Sequence, residues 1–312
     1  MIAGKCFRKN CMKGSRKALE RVLPSVSMMN RHVDVRPSAI AGKWYPADPQ
    51  RLREGVQRYL DAARLPEIDG QVIGVMAPHA GHRYSGPTAG YAFAAVRGLK
   101  PDLVVVVSPV HYAGLEPVLT SGHVAYETPL GSIPVDEESL QALNERMIER
   151  LNVGITPVLR DPEHSLEIEL PFLQVALEGS FSLLPLMVRD TSPRLTRELG
   201  NALAELLAQR SALLVASSDL SHFYPQPVAE RLDANFLARV EAFDPAGVLA
   251  VEEAGQGFAC GRSAVATVLW AALGLGASSV KVLNYSTSGM VTGDFNRVVG
   301  YAAAVITRPV QH

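Results

Sequence analysis

Short apolar runs alternate with amphipathic segments along most of the chain. The apolar runs are 72–77, 103–107, 181–188, 212–216, 280–285 and 298–306. Apolar residues at helical spacing predict helices at 51–63, 87–98, 136–150, 165–178, 193–208, 227–242 and 262–274. Continuous apolar strands are typical of a sheet that is covered on both faces. The alternation therefore predicts an α/β fold, specifically a single-domain α/β sandwich with a largely parallel central sheet.

The first part of the chain lacks this pattern. Residues 1–35 are rich in basic side chains and have no periodic apolar face, which is typical of a disordered arm. Two alternatives are that translation starts at Met28 or Met29, or that the basic arm has a function of its own. We expect the α/β domain to span residues 36–312.

Net charge differs between this arm and the rest of the chain. Residues 1–36 hold nine basic and two acidic residues, although the whole chain has a net charge of −1. The rest of the chain therefore carries a net charge of −8. Binding to a phosphate backbone requires clustered cations, so we expect no nucleic-acid partner.

The cysteines and the longest uncharged stretch bear on the location of the protein. Cys6, Cys11 and Cys260 are an odd number of cysteines, and two of them lie in the basic arm. This usage argues against a disulfide framework and for a reducing compartment. Residues 263–280 carry no charge, but their apolar centre is short enough to predict a buried helix rather than a membrane span. We expect a cytoplasmic protein that has no membrane partner.

Histidine follows three of the predicted strands. His79, His111 and His222 each come within a few residues of a strand end. Ligands of open α/β sheets bind beyond the carboxyl ends of the strands, so we expect the three imidazoles to converge there. Neutral imidazoles are suitable ligands for Zn²⁺ or Fe²⁺, and Asp219 is the nearest carboxylate that could orient one of them. A single histidine in such a turn usually has no function, and the chain contains neither HExxH nor CxxC.

Two further segments contain candidate site residues. Cys260 lies just before a predicted helix and beside Arg262, a setting that suits a metal ligand or a nucleophile. A small buried apolar residue is an equally good interpretation of this cysteine. His164 and Glu167 lie one helical turn apart and could face the same crevice, or could belong to a capping box around Ser165.

Eight short blocks, taken in order, resemble the MEMO family, whose bacterial members are often called AmmeMemoRadiSam system protein B. The blocks are RPSAIAGKWYP at 36–46, APHAG at 77–81, SPVH at 108–111, TPLG at 128–131, EHSLEIELP at 163–171, SSDLSH at 217–222, CGR at 260–262 and LNYSTSG at 283–289. The resemblance covers about residues 36–306, nearly everything except the arm.

The resemblance implies a fold similar to that of the class III extradiol dioxygenases. It also implies a metal site of two histidines and a cysteine, which falls here on His79, His111 and Cys260. His222 corresponds to the acid/base histidine, and we predict that Asp219 orients it. We expect Fe²⁺ as the metal, as in the class III extradiol dioxygenases. Copper or zinc are alternatives, because a thiolate ligand favours softer metals than a carboxylate does.

Four positions depart from the family pattern. Val110 and Tyr112 flank His111, where smaller or additional polar residues are common. His82 follows APHAG, where an aromatic residue is common, and Glu169 replaces the second histidine of the HSxExHLP block. A role that relatives assign to that second histidine therefore has no counterpart in this chain.

The resemblance implies a metal-dependent redox enzyme that acts with radical-SAM and AMMECR1-type proteins on an unknown small-molecule or protein substrate. Two alternatives are an adaptor that binds peptides in the same crevice and a zinc hydrolase with the same ligands. The residues that we predict to contact the substrate are His82, Tyr84, His164, Glu167 and Arg262.

Overall fold

The computed structural model of the protein describes residues 32–310. Most of the predicted arm, residues 1–31, lies outside this range, as do Cys6 and Cys11. Residues 32–35, which the sequence pattern assigns to the arm, form most of a strand. That strand pairs in parallel with a strand at His123–Thr128, so the ordered domain begins before residue 36.

Twelve strands lie within the described residues. They are β1 (His32–Arg36), β2 (Gln71–Ala77), β3 (Leu103–Pro109), β4 (Val118–Ser121), β5 (His123–Thr128), β6 (Gly131–Pro134), β7 (Thr156–Val158), β8 (Ser182–Val188), β9 (Ala212–Ser217), β10 (His222–Tyr224), β11 (Ser279–Thr287) and β12 (Val298–Arg308).

Nine α-helices connect or flank the strands of this part of the chain. They are α1 (Pro49–Ala62), α2 (His82–Ala94), α3 (Glu137–Leu151), α4 (Leu170–Ala176), α5 (Pro193–Leu207), α6 (Gln226–Glu241), α7 (Pro245–Glu253), α8 (Arg262–Gly274) and α9 (Gly289–Thr292). A 3₁₀ turn at Glu167–Glu169 leads into α4.

The larger sheet has the strand order β10-β12-β2-β9-β3-β8-β4-β7, and β11 pairs with β12. Its four central strands, β2, β9, β3 and β8, are parallel to one another. Antiparallel strands flank this centre at β12 and at β4. A separate sheet has the order β1-β5-β6.

The apolar runs of the sequence form the centre of the larger sheet. Every residue of β3 is buried, as expected for a strand with helices on both faces. Helix α8 packs against β3 and β9, and α2 packs against β2 and β12. The predicted single-domain α/β sandwich is confirmed, and α8 is the buried helix that the uncharged stretch predicts.

Local capping explains why some helix starts agree with the sequence pattern. The side chain of Asp136 accepts the Ser139 N–H, and the side chain of Ser192 accepts the Leu195 N–H, so both residues cap their helices.

The predicted helix at 87–98 was wrong at its start, because α2 begins at His82 and holds Pro87 inside it. Proline usually marks the first turn of a helix, which explains this late predicted start.

The described residues contain no helix that is both long and apolar enough to cross a membrane.

Candidate metal centre

His79 lies in the turn between β2 and α2, and its ring is buried. Its backbone N–H donates to Asp219 Oδ1 at 2.8 Å. Its Nδ1 lies 2.9 Å from the hydroxyl oxygen of Ser217, the last residue of the neighbouring strand β9. The hydrogen bond at Nδ1 leaves Nε2 as the nitrogen that can bind a ligand.

His111 follows β3, and a single carboxylate holds it in place. The backbone N–H of His111 donates to Glu163 Oε2 at 2.6 Å, and its Nδ1 lies 2.9 Å from Glu163 Oε1. Such a carboxylate partner fixes the orientation of an imidazole and makes its other nitrogen a better metal ligand. Nε2 of His111 is therefore available in the same way as Nε2 of His79.

Cys260 lies in the turn just before α8. Its Sγ lies 3.1 Å from His79 Nε2. At the next position, a Cβ on Gly261 would come within 2.3 Å of the Ser217 carbonyl oxygen. Only glycine permits this close approach, which brings the cysteine to the end of β9.

Arg262 also belongs to this turn. It forms an ion pair with Glu252, which in turn accepts the Ala259 N–H at 3.3 Å. Arg262 does not line the crevice, so the structure does not support its predicted contact with substrate. Instead, the Arg262–Glu252 pair supports the turn that carries Cys260.

The three predicted ligands are brought together at one point. One potential ligand atom from each of His79, His111 and Cys260 lies within 4.8 Å of the others. His111, Glu163 and His164 form a second group of this kind. In that second group the Glu163 carboxylate already accepts the backbone N–H of His111 and contacts its Nδ1, so it orients His111.

Burial controls the protonation of the cluster. It lowers the pKa of His79 well below its usual value, and the neighbouring rings of His111 and His164 lower it further. Burial also raises the pKa of the Cys260 thiol well above its usual value, and the nearby Asp219 charge adds to this. Neutral imidazoles can coordinate a cation directly, and a bound cation would stabilise the thiolate.

Glu163 is the charged group beside this cluster. Its burial alone would raise its pKa, but hydrogen bonds from His111 and from backbone N–H groups hold that pKa far below its usual range. The carboxylate therefore stays ionised.

Asp219 does not orient His222, so that prediction was wrong. Asp219 turns back toward β2 and accepts the backbone N–H groups of His79 and Ala80. Burial raises the pKa of Asp219 to about 7, although these two N–H groups counteract part of the rise. The Nδ1 of His222 lies 2.7 Å from the Leu220 carbonyl oxygen instead.

His222 reaches the same crevice from the start of β10. Its ring lies 5.7 Å from those of Phe223 and Phe258, centroid to centroid. Because the Leu220 carbonyl can only accept, Nδ1 carries the hydrogen and Nε2 keeps a lone pair. Burial lowers the pKa of His222, so the ring is neutral at neutral pH. Its free lone pair can then accept a proton from a substrate.

His79, His111 and His222 line a cavity of about 530 Å³ that opens to solvent, whereas Cys260 lies behind His79 and is not part of the lining. Tyr84 and His164, both predicted to contact substrate, line it. The His164 ring stacks on the His111 ring, with centroids 4.7 Å apart, and its centroid lies 4.2 Å from that of the Trp44 ring. The described residues that line it are Lys43, Trp44, His79, Ala80, Gly81, Arg83, Tyr84, His111, His164, Asp219 and His222.

His82 and Glu167 do not reach this cavity. His82 is buried against Phe172, with ring centroids 4.8 Å apart, and its Nε2 lies 3.1 Å from the Ile168 carbonyl oxygen. Glu167 accepts Arg36 Nη1 at 2.6 Å and the Tyr45 hydroxyl at 2.7 Å. The predicted substrate contacts of both residues are replaced by packing and ion-pair roles in the core.

Sequence reasoning missed several residues of the site. Glu163 is adjacent to the candidate His164, and Ser217 opens the SSDLSH block, but their contacts join distant segments. Lys43 and Trp44 lie at the cavity because their segment is tied to the start of α2: the His82 N–H donates to the Trp44 carbonyl oxygen at 2.9 Å. No local spacing in the sequence indicates any of these pairings.

Known proteins resemble this chain over nearly its whole length. Residues 36–305 match the family described as Memo-like protein. A MEMO1 family protein of Nitrosopumilus maritimus is 33% identical over 276 residues, covering 86% of this chain and 98% of the relative. Those of Methanopyrus kandleri and Thermotoga neapolitana are each 35% identical, and each alignment covers 88% of this chain and at least 99% of the relative. The chain therefore belongs to the Memo-like protein family.

Proposed function

We propose that this protein is a metal-dependent redox enzyme whose metal is held by His79, His111 and Cys260. The observation that carries the proposal is the 3.1 Å approach of Cys260 Sγ to His79 Nε2, with a nitrogen of His111 within 4.8 Å of both. Two imidazoles and a thiol this close together supply three donor atoms of the kind that a metal ion binds.

The donor atoms fit a metal. Each imidazole has its Nδ1 occupied, one by Ser217 and one by Glu163, an arrangement typical of ligating histidines. Two nitrogens and one sulfur suit Fe²⁺, which we propose first, and copper or zinc as alternatives. Three protein ligands leave coordination positions for a substrate.

An iron or copper ion bound here would supply one-electron chemistry, and any of the three metals would polarise a substrate oxygen. The protein's own residues would do the rest. His222 is proposed as the acid/base, because its Nε2 keeps a lone pair and its ring lines the cavity. Trp44, Tyr84 and His164 would form the aromatic wall against which a substrate packs.

The mouth of the cavity favours a negatively charged substrate. Lys43 and Arg83 line it, and both are exposed. Among the described residues, Asp219 is the one carboxylate of the lining, and it accepts the N–H groups of His79 and Ala80. Positive charge at a cleft concentrates anions there.

The wider role follows from family membership. We propose that the chain acts as the protein known as AmmeMemoRadiSam system protein B, with a class III extradiol dioxygenase-like active site and with radical-SAM and AMMECR1-type proteins as pathway partners. Its substrate would be a small molecule or a protein, its location the cytoplasm, and neither nucleic acid nor membrane would be a partner.

Oxygen uptake tests the proposal. The protein would be loaded anaerobically with Fe²⁺ and mixed with oxygen and ascorbate, which supplies two electrons and two protons for each dioxygen reduced to hydrogen peroxide. Wild type should consume oxygen faster than His79→Ala or the metal-free protein. Equal uptake by all three would contradict redox chemistry and would favour a peptide-binding adaptor. Ester hydrolysis restored by Zn²⁺ alone would favour a zinc hydrolase.

A further inference from the structure

The Ser217 hydroxyl is the meeting point of three buried polar groups. Its oxygen lies 2.6 Å from the Ser165 carbonyl oxygen, 2.9 Å from Glu169 Oε1 and 2.9 Å from His79 Nδ1. All four residues are buried, so water cannot replace a missing partner. Each hydrogen bond at this oxygen must therefore be made between these groups.

A count of hydrogens decides how these groups are protonated. A serine hydroxyl has one hydrogen to donate and two lone pairs to accept with. The Ser165 carbonyl can only accept, and it is the nearest partner, so it takes the hydroxyl hydrogen. The two lone pairs of Ser217 then face His79 Nδ1 and Glu169 Oε1, and both of these atoms must carry a hydrogen.

We propose that Glu169 is a positioning residue: its protonated carboxyl group donates to Ser217, and Ser217 in turn accepts the Nδ1–H of His79. This chain of hydrogen bonds fixes His79 in the tautomer whose Nε2 lone pair faces Cys260. The consequence for metal binding rests on the proposed function, but the tautomer itself does not.

The surroundings of Glu169 differ from those of the two other glutamates in its segment. Glu167 is paired with Arg36, and Glu163 accepts several N–H groups. Among the described residues, no lysine or arginine forms an ion pair with Glu169. Burial raises the pKa of Glu169 well above its usual value, and the Asp219 charge adds to this.

An ionised Glu169 fits these contacts less well. The carboxylate would take the hydroxyl hydrogen of Ser217 for itself, and the Ser165 carbonyl would lose this donor. It would also leave a fully buried charge without a counter-ion, which is unfavourable in a medium of low dielectric constant. In the neutral form each of the three contacts at the Ser217 oxygen pairs one donor with one acceptor.

The first test uses metal-free wild-type protein labelled with ¹⁵N at histidine. The ¹⁵N shifts of His79, assigned by their loss in His79→Gln, should show hydrogen on Nδ1 and none on Nε2. The infrared spectrum should contain the C=O stretch of a protonated carboxyl group that disappears in Glu169→Gln. Hydrogen on Nε2 of His79, or no such band, would overturn the proposal.

Variants then test the link through Ser217. Glu169→Gln keeps a donor in the same place and should preserve the His79 tautomer and Fe²⁺ affinity. Glu169→Leu removes the donor and should give mixed tautomers and Fe²⁺ binding weaker by roughly 10–100-fold, the usual effect of losing a group behind a ligand. Equal affinities for the Gln and Leu variants would count against the positioning role.

A double variant separates this role from general damage to the core. Ser217→Ala should weaken Fe²⁺ binding as Glu169→Leu does, and the two changes together should cost no more than one alone, because they interrupt the same chain. Fully additive losses would overturn the proposal. If no variant and no wild type bound Fe²⁺, the proposed function would fail while the ¹⁵N shifts would still decide the tautomer.

Discussion

The Glu163 carboxylate accepts two hydrogen bonds from His111, one from its backbone N–H at 2.6 Å and one from its Nδ1 at 2.9 Å. The same carboxylate accepts the N–H groups of His164 and Ser165. One buried side chain thus sets both the position of the loop after β3 and the rotation of its imidazole ring.

Changing Glu163 should weaken metal binding without removing a ligand. Glu163→Gln has one acceptor oxygen instead of two, so His111 should lose either its backbone or its ring hydrogen bond. We expect Fe²⁺ affinity to fall by roughly 10–100-fold in anaerobic titrations. Glu178→Gln, which breaks the exposed pair with Lys100, is the matched control and should bind Fe²⁺ like wild type.

Arg36 should be important for stability. Its guanidinium is buried and pairs with Asp161 at 2.9 Å and with Glu167 at 2.6 Å. Arg36→Leu would leave two buried carboxylates without a counter-ion, so the free energy of unfolding in urea should fall by about 3–5 kcal/mol. Arg97→Leu breaks an exposed pair with Asp61 and should change the free energy of unfolding far less, because solvent screens that pair. Similar losses in the two variants would show that burial of the Arg36 cluster is unimportant.

His82 should make the fold less stable in acid. Burial lowers its pKa from 6.5 to about 4, so between these values the unfolded chain binds a proton that the folded chain does not. Stability should therefore fall as the pH decreases through this window, and His82 should account for about 2 kcal/mol between about pH 7.5 and about pH 5. In His82→Phe the fall should be smaller by that amount. Parallel stability curves for wild type and variant would contradict the assignment.

His222 should affect turnover but not metal content. His222→Asn leaves all three proposed ligands in place, so the protein should bind as much Fe²⁺ as wild type. Oxygen uptake should be slower by roughly 10²–10⁴-fold, the usual contribution of a positioned proton-transfer group. His79→Ala should lose the metal itself. A His222→Asn variant with unchanged turnover would assign His222 a structural role.

The sequence predicts the larger sheet well because its central strands are buried on both faces. An unbroken apolar run such as that of β3 has few alternative structures. The short strands β4, β6 and β7 carry no such run, and β1 depends on pairing with a partner about 90 residues away. Their formation is decided by tertiary contacts that periodicity does not record.

The sequence likewise predicts some features of the site and not others. Histidines at strand ends could be predicted to converge, since parallel strands bring their carboxyl ends to one edge. The direction of each side chain could not. Asp219 was expected to face His222 but accepts N–H groups of the His79 turn, and His82 enters the core because its ring packs on Phe172.

X-ray absorption at the iron edge would test the central claim, a metal bound by two imidazoles and a thiolate. The protein would be purified without a histidine tag, loaded anaerobically with Fe²⁺ and compared with its Cys260→Ser variant. We expect about one iron per chain, with one sulfur and at least two nitrogens in its first coordination shell, and no sulfur in the variant. Iron without a sulfur ligand in the wild type, or a sulfur ligand that persists in Cys260→Ser, would contradict the account.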